Sequence, residues 1–236
     1  MRIADCNWRD IEAYLTRDDR CVLPFGSTEQ HAGLSLCVDA ILAERVAVEA
    51  AEPLGVPVYP AMPFGLAPYF LEFPGSISLR VETLLAVARD VIESAARAGF
   101  RRILLVNGHA GNAPIGALAQ DVMAERPELS IKFHNWYNTP LTWAAALAID
   151  PTASHANWFE NYPWTRLAHA PSPEGRKPGV DMALMKASGP AQVRAMLEDG
   201  SFGGPWQVPD AAMQGLWEAG VAETRVALEG PWPTPS

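Results

Sequence analysis

The sequence is short of cysteine and of positive charge and has no long apolar run, and each shortage closes off a class of protein. Its three cysteines, Cys6, Cys21 and Cys37, cannot all pair and show no Cys-x-x-Cys spacing, so neither a disulfide framework nor a thiolate zinc site is indicated. Eighteen Lys and Arg stand against 27 Asp and Glu, a formal net charge of −9. Such a chain repels nucleic acid and anionic membrane surfaces. No window approaches the roughly 18 uninterrupted apolar residues of a membrane span, and the opening MRIADCNWRD has no apolar stretch. A cytoplasmic protein with no nucleic-acid and no membrane partner is expected. Gly-rich phosphate loops of standard spacing and a G-x-S-x-G turn are also missing, which removes support from NAD, ATP and serine-hydrolase chemistry.

What is present is a core-forming composition. Hydrophobic residues make up 49% and charged residues 19% of 236 residues, and single cores run to about 200–250 residues. With no linker, internal repeat or low-complexity tract, residues 1–236 are expected to form a single domain. Short β-type runs alternate with longer helical patterns, as in an α/β sheet with crossover helices. Strands are expected at Cys21 to Pro24, Val56 to Tyr59, Arg102 to Val106 and Ser130 to Phe133, with a short extended piece at Ser76 to Leu79. Arg102 to Val106, aliphatic throughout and closed by Asn107-Gly108, is expected at the sheet centre. Helices are expected over Asp39 to Ala51, Val81 to Ala98, Asn112 to Glu125, Thr139 to Ala148, Ala191 to Glu198 and Ala211 to Leu228.

Three polar clusters carry the chemistry, and the first two follow predicted strands, where open α/β sheets collect ligands. The first is Gly26-Ser27-Thr28-Glu29-Gln30-His31 with Asp39 downstream. In extended chain Glu29 and His31 face the same side and can reach one centre, with Asp39 at the next helix start able to join them. The second is Asn107-Gly108-His109-Ala110-Gly111-Asn112. The third is Ser154 to Asn161, where His155 and Glu160 share a face only if a loop passes into a helix between them. Each cluster alone also fits an ordinary polar loop or a helix cap. His134 is read as structural, and His169 is set aside. Together Glu29, His31, Asp39, His109 and Glu160 form a set of carboxylates and imidazoles suited to Zn, Mn or Fe(II), sized for two divalent ions bridged by one carboxylate.

GSTEQH followed by an Asp, then NGHAGN, then His-x4-Glu in HANWFEN resembles the creatininase (creatinine amidohydrolase) family. The resemblance runs in order from Pro24 to Glu160, and the tail from Asp199 to Pro205 and from Trp217 to Val221 shares it. It implies that Glu29 and His109 hold one metal, His31 the other, that Asp39 bridges them and that Glu160 adds a ligand to the second ion. His155 matches a histidine near the substrate, placed to protonate a leaving nitrogen. The resemblance further implies a three-layer α/β/α sandwich with a mainly parallel central sheet, a homohexamer, and hydrolysis of small amides. Departures are visible too. The loop Ala32 to Val38 is a residue shorter than the family's, Gly111 stands where creatinine-cleaving members have Glu, and Trp158 and Asn161 replace a Glu and a Thr of relatives.

The expected activity is metal-dependent hydrolysis of a C–N bond in a small-molecule amide by metal-activated water. Aromatic residues crowd the third cluster, and Trp158, Trp136 and Tyr69 are taken as substrate contacts, which favours a planar cyclic amide or lactam, including one fused to an aromatic ring. A formamide or small-peptide hydrolase, a non-catalytic metal-binding scaffold, and a sugar or nucleotide binder are the alternatives.

Overall fold

The computed structural model describes residues 1–233; residues 234–236 of the expected single domain lie outside the described residues. Helix α1 spans Trp8–Leu15 and leads into strand β1 at Arg20–Phe25. Helices α2 (Val38–Ala51) and α3 (Val81–Ala98) precede β2 (Arg102–Asn107), and α4 (Pro114–Glu125) precedes β3 (Ser130–Asn135). Helix α5 covers Pro140–Ile149. The C-terminal part carries a two-residue strand β4 (Arg176–Lys177), short helices α6 (Met182–Lys186) and α7 (Pro190–Leu197), strand β5 (Gly204–Pro205), and the long helix α8 (Asp210–Glu229).

Strands β1, β2 and β3 pair in parallel in that order, with Phe25, Asn107 and Asn135 in register at their C-terminal ends. The central strand is the one expected from its aliphatic run. Alternate side chains of β2 feed two separate cores. Leu104 and Val106 join Val22 of β1 beneath α2, α5 and α8, where Val46, Trp136, Trp158, Tyr162 and Trp217 pack. Ile103 and Leu105 join Leu23 and Phe25 beneath α1, α3 and α4, against Tyr14, Leu84, Ile92 and Val122. Helix, sheet and helix therefore form three layers, the sandwich the sequence leads one to expect. A third, smaller cluster of Ala67, Phe70, Phe73, Met185, Val193 and Leu197 caps the strand ends.

One expectation needs correction, and one helix was not foreseen. Val56 to Tyr59 is not a regular strand: Val58 makes isolated parallel bridges to Arg2 and Val22. Pro57 and Pro60 bracket it, and proline's missing N–H leaves too few ladder hydrogen bonds for a full strand. Helix α1 was not anticipated, although Trp8, Ile11 and Leu15 recur at helical spacing. It is secured by Asn7, which accepts from Arg9 N–H while its own N–H donates to Asp10, a reciprocal cap, and by burial of Tyr14.

Candidate metal centre

The polar clusters meet at the C-terminal ends of the three strands. After β1 the chain turns through Gly26 and Ser27 and presents Glu29 and His31 two residues apart, as the extended spacing requires. Asp39 enters from the first turn of α2 and is held by Ser27, whose hydroxyl donates to Oδ2 at 2.8 Å. After β2 the NGHAGN loop is tied down by its two asparagines. Asn107 Nδ2 donates to the His109 carbonyl at 2.7 Å and to Asn135 of β3 at 2.7 Å, and Asn112 Nδ2 donates to the Gly26 carbonyl at 3.0 Å. The third cluster passes from a loop into a single 3-10 turn at Trp158–Glu160, begun by Asn157, whose side chain accepts from Phe159 N–H. This is the loop-to-helix transition that lets His155 and Glu160 face one point.

Three groups of atoms result. Glu29, Asp39 and His109 offer one set of ligating atoms within 4.8 Å of one another; His31, Asp39 and Glu160 offer a second; Glu29, His31 and His155 a third. Asp39 belongs to the first two through different oxygens, Oδ2 lying 2.9 Å from His109 Nδ1 and Oδ1 lying 3.1 Å from His31 Nε2. The tautomers of both histidines are set from behind. His109 Nε2 donates to the Leu66 carbonyl at 2.9 Å, and His31 Nδ1 donates to the Glu29 carbonyl at 3.1 Å. With the rear nitrogens committed as donors, His109 Nδ1 and His31 Nε2 are the ones that face the carboxylates, and each would offer a lone pair to a cation that displaced its proton.

Gly111 makes the His109 contact possible. A Cβ there would lie 2.0 Å from the Leu66 carbonyl oxygen and 2.5 Å from His109 Nε2. A longer side chain at this place has no room.

The centre is buried: Glu29, His31 and Asp39 are 1%, 0% and 3% exposed. Burial raises Glu29 above the ordinary carboxylate range, the nearby His109 opposing it, and pushes Glu160 up to about 7 with the help of Asp39. Burial would raise Asp39 as well, but contacts with His31 and His109 outweigh it and hold this carboxyl well below its ordinary value. His31 is driven up to about 10 against the effect of burial by Asp39 and Glu160. Glu29 Oε2 is buried without any hydrogen-bond partner. The buried Glu29 and Asp39 and the half-buried Glu160, whose ion-pair partners among the described residues are histidines alone, form a set that a cation completes.

A cavity of about 640 Å³ opens onto this cluster, lined by Glu29, Asp39, His109, His155 and Glu160 and by a mostly apolar wall that includes Tyr69, Phe70, Trp143, Phe159 and Phe202. Tyr69 lines this cavity. Trp136 and Trp158 do not: both belong to the core beneath α8, where Trp136 packs edge-on against Trp217 at 5.4 Å and Trp158 against Phe159 at 5.8 Å. Their large apolar areas are satisfied by burial between sheet and helices. His134 is structural, its Nε2 bonded to Thr224 Oγ1 of α8 at 3.0 Å. Sequence reasoning overlooked Gln30, inside a motif read only for its acid and its histidine. Phe70, noted only as one aromatic of the Pro-rich loop, stacks on His155, and Phe202 packs against the same ring at a tilt from a distant segment with no local signal.

The sequence profile of the family described as creatininase, creatinine amidohydrolase, matches residues 4–227. The chain is 36% identical over 120 residues to the creatinine amidohydrolase of Pseudomonas putida, a match covering 47% of this chain and 45% of that protein. It is 38% identical over 118 residues to the mycofactocin precursor peptide peptidase of Mycobacterium tuberculosis, covering 45% and 46%. The aligned segments thus span about half the length of these relatives. A solved structure titled "Creatininase Mn" superposes with a TM-score of 0.80 at 21% identity over 99% of both chains, a likeness of fold. With a match over nearly its whole length, the chain belongs to the creatininase family.

Proposed function

We propose that the protein is a metal-dependent amidohydrolase that cleaves the C–N bond of a small-molecule amide, with Glu29, Asp39 and His109 holding one divalent ion and His31, Asp39 and Glu160 a second. The observation that carries this reading is the division of Asp39 between two ligand triads, one oxygen to each. The donor set of imidazole and carboxylate and the unpartnered Glu29 Oε2 fit Zn, Mn or Fe(II). Held by these residues, two divalent ions would supply an activated water at neutral pH and a Lewis acid for the amide carbonyl.

The chain's own residues supply the rest. Leu66 and Glu29 carbonyls orient the two imidazoles, Ser27 steadies Asp39, and the Ala156 N–H donates to Glu160 Oε2 at 2.6 Å. Phe70, Phe159 and Phe202 remove water from one side of the cavity and offer flat apolar surface. That wall supports a planar cyclic amide or lactam as substrate. The cavity volume favours a second reading, since about 640 Å³ exceeds what a single small ring fills and suits ligands of drug size; an amide at the end of a small peptide fits it. Assembly into a homohexamer, with residues 1–236 as one domain, belongs to the same proposal.

The test is elemental analysis of protein purified without chelator, with His109→Ala beside it, followed by a panel of lactams, formamides and short peptide amides. About two transition-metal ions per chain are expected, falling to one or fewer in the variant, with turnover lost on chelation. No bound metal after Zn or Mn is added back would overturn the reading. Metal without turnover across the panel would move the protein to a binding role.

A further inference from the structure

Gln30 sits between Glu29 and His31, yet its carboxamide points to neither. Its Oε1 accepts the Ala32 N–H at 3.1 Å, its Nε2 donates to the Gly200 carbonyl at 2.9 Å, and the same Nε2 lies 2.8 Å from Nε2 of His155. The first two contacts decide which end of the amide is which, because exchanging them would set N–H against N–H and oxygen against oxygen. An amide nitrogen has two hydrogens and nothing with which to accept. The second hydrogen therefore goes to His155, whose Nε2 accepts it, and a neutral imidazole that accepts at Nε2 carries its proton on Nδ1. That Nδ1 faces the carboxylates, 3.7 Å from Glu29 Oε1 and 4.0 Å from Glu160 Oε2.

The arrangement is built in. Gln30 is 4% exposed, and Gly200 has φ +105° with a hypothetical Cβ only 1.6 Å from Gln30 Oε1, so only glycine leaves room for the amide. The imidazole is clamped by Phe70, stacked at 4.7 Å with planes 9° apart, and by Phe202 at 4.8 Å, whose N–H also donates to the His155 carbonyl.

We propose that Gln30 is a positioning residue that holds His155 as its Nδ1–H tautomer, making His155 a fixed hydrogen-bond donor over the gap between Glu29 and Glu160 and not a metal ligand. This rests on the metal-hydrolase reading for what fills the gap. Although His155 lies close enough to Glu29 and His31 to complete a third ligand set, a nitrogen bearing hydrogen has no lone pair for a metal. Releasing that hydrogen would leave an imidazolate, since Nε2 is already engaged by Gln30. The ring therefore keeps its proton and lends a hydrogen bond to the substrate carbonyl or to water. This replaces the role expected from the sequence, delivery of a proton to the leaving nitrogen.

The test is nitrogen-15 NMR of histidine-labelled full-length protein loaded with zinc and, separately, with cadmium-113, His155 being assigned by its loss in His155→Ala. The expected signature is a pyridine-type Nε2 and a pyrrole-type Nδ1 with no coupling to cadmium. In Gln30→Glu, whose carboxylate can only accept, the two types should exchange. A pyrrole-type Nε2 in the parent, or cadmium coupling at His155, would overturn the assignment, as would an unchanged tautomer in folded Gln30→Glu. The parent spectrum decides even if that variant fails to fold. Neither readout needs turnover, so a protein that hydrolyses no amide would remove the functional reading while leaving this one to be judged by itself.

Discussion

Gly111 shows how much one hydrogen atom in place of a side chain can decide. Its Cα packs so closely that the His109 ring reaches the Leu66 carbonyl, and that contact fixes which nitrogen faces Asp39. Gly111→Ala must displace either the Leu66 backbone or the imidazole, and overpacking of this kind costs about 1–3 kcal/mol. The expected outcome is a lower thermal midpoint together with loss of the ion nearest His109, read by calorimetry and elemental analysis. Retention of both ions at full stability would show that the loop yields freely. At this scale the sequence was legible wherever a motif repeats a chemistry. Glu29, His31, Asp39, His109 and Glu160 do converge, because residues at strand ends and helix starts face one crevice by geometry alone. Trp136 and Trp158 were misjudged for a physical reason: composition shows that aromatics are near a motif, but only packing decides between core and cavity.

Among the elements, β3 and α8 are joined at a point that responds to pH. His134 bonds to Thr224 across this junction, and burial first, with Lys132 adding and Glu223 opposing, lowers it from 6.5 to about 4. The fold thus holds a neutral imidazole. Between pH 4 and the unfolded value of about 6.5 the unfolded chain binds more protons, so the contribution is complete above about 6.5 and is lost as pH falls toward 4. Its full extent is about 3 kcal/mol, the energy equivalent of a shift of this size. In chelator-treated protein, urea unfolding at about pH 7 and about pH 5 should show a fall in stability that His134→Gln reduces, the buried His155, also held below its ordinary value by burial, contributing with the same sign. An equal fall in the variant would place the dependence elsewhere. Elements with strong patterns, β2 and the helices α2, α3, α4, α5, α7 and α8, were legible to within a few residues. The segment at Val58 was not, because its prolines remove ladder bonds without altering its apolar pattern. Helix α1 was missed although its apolar residues recur at helical spacing, because its eight residues fall short of the roughly 11–18 over which a helical period is read.

For the whole molecule, the side chains left outside the two cores matter most. Helix α5 packs Thr142 and Ala146 inward yet leaves Leu141 and Leu147 at 64% and 43% exposure. These two side chains are offered as contacts of the proposed hexamer, a proposal that the following measurement tests. Light scattering should return about six times the 25.6 kDa chain mass, and Leu141→Asp combined with Leu147→Asp should shift the population to smaller species. A monomer at micromolar concentration in the parent would count against assembly.

Both ligand triads reach the cavity, the first through Glu29, Asp39 and His109 and the second through Asp39 and Glu160, with His31 alone wholly enclosed. Because Asp39 serves both, the two seats would not be independent: emptying one alters the carboxylate that holds the other. Metal-loaded protein titrated with a chelator should therefore give up its ions in a coupled fashion, the departure of one hastening that of its neighbour.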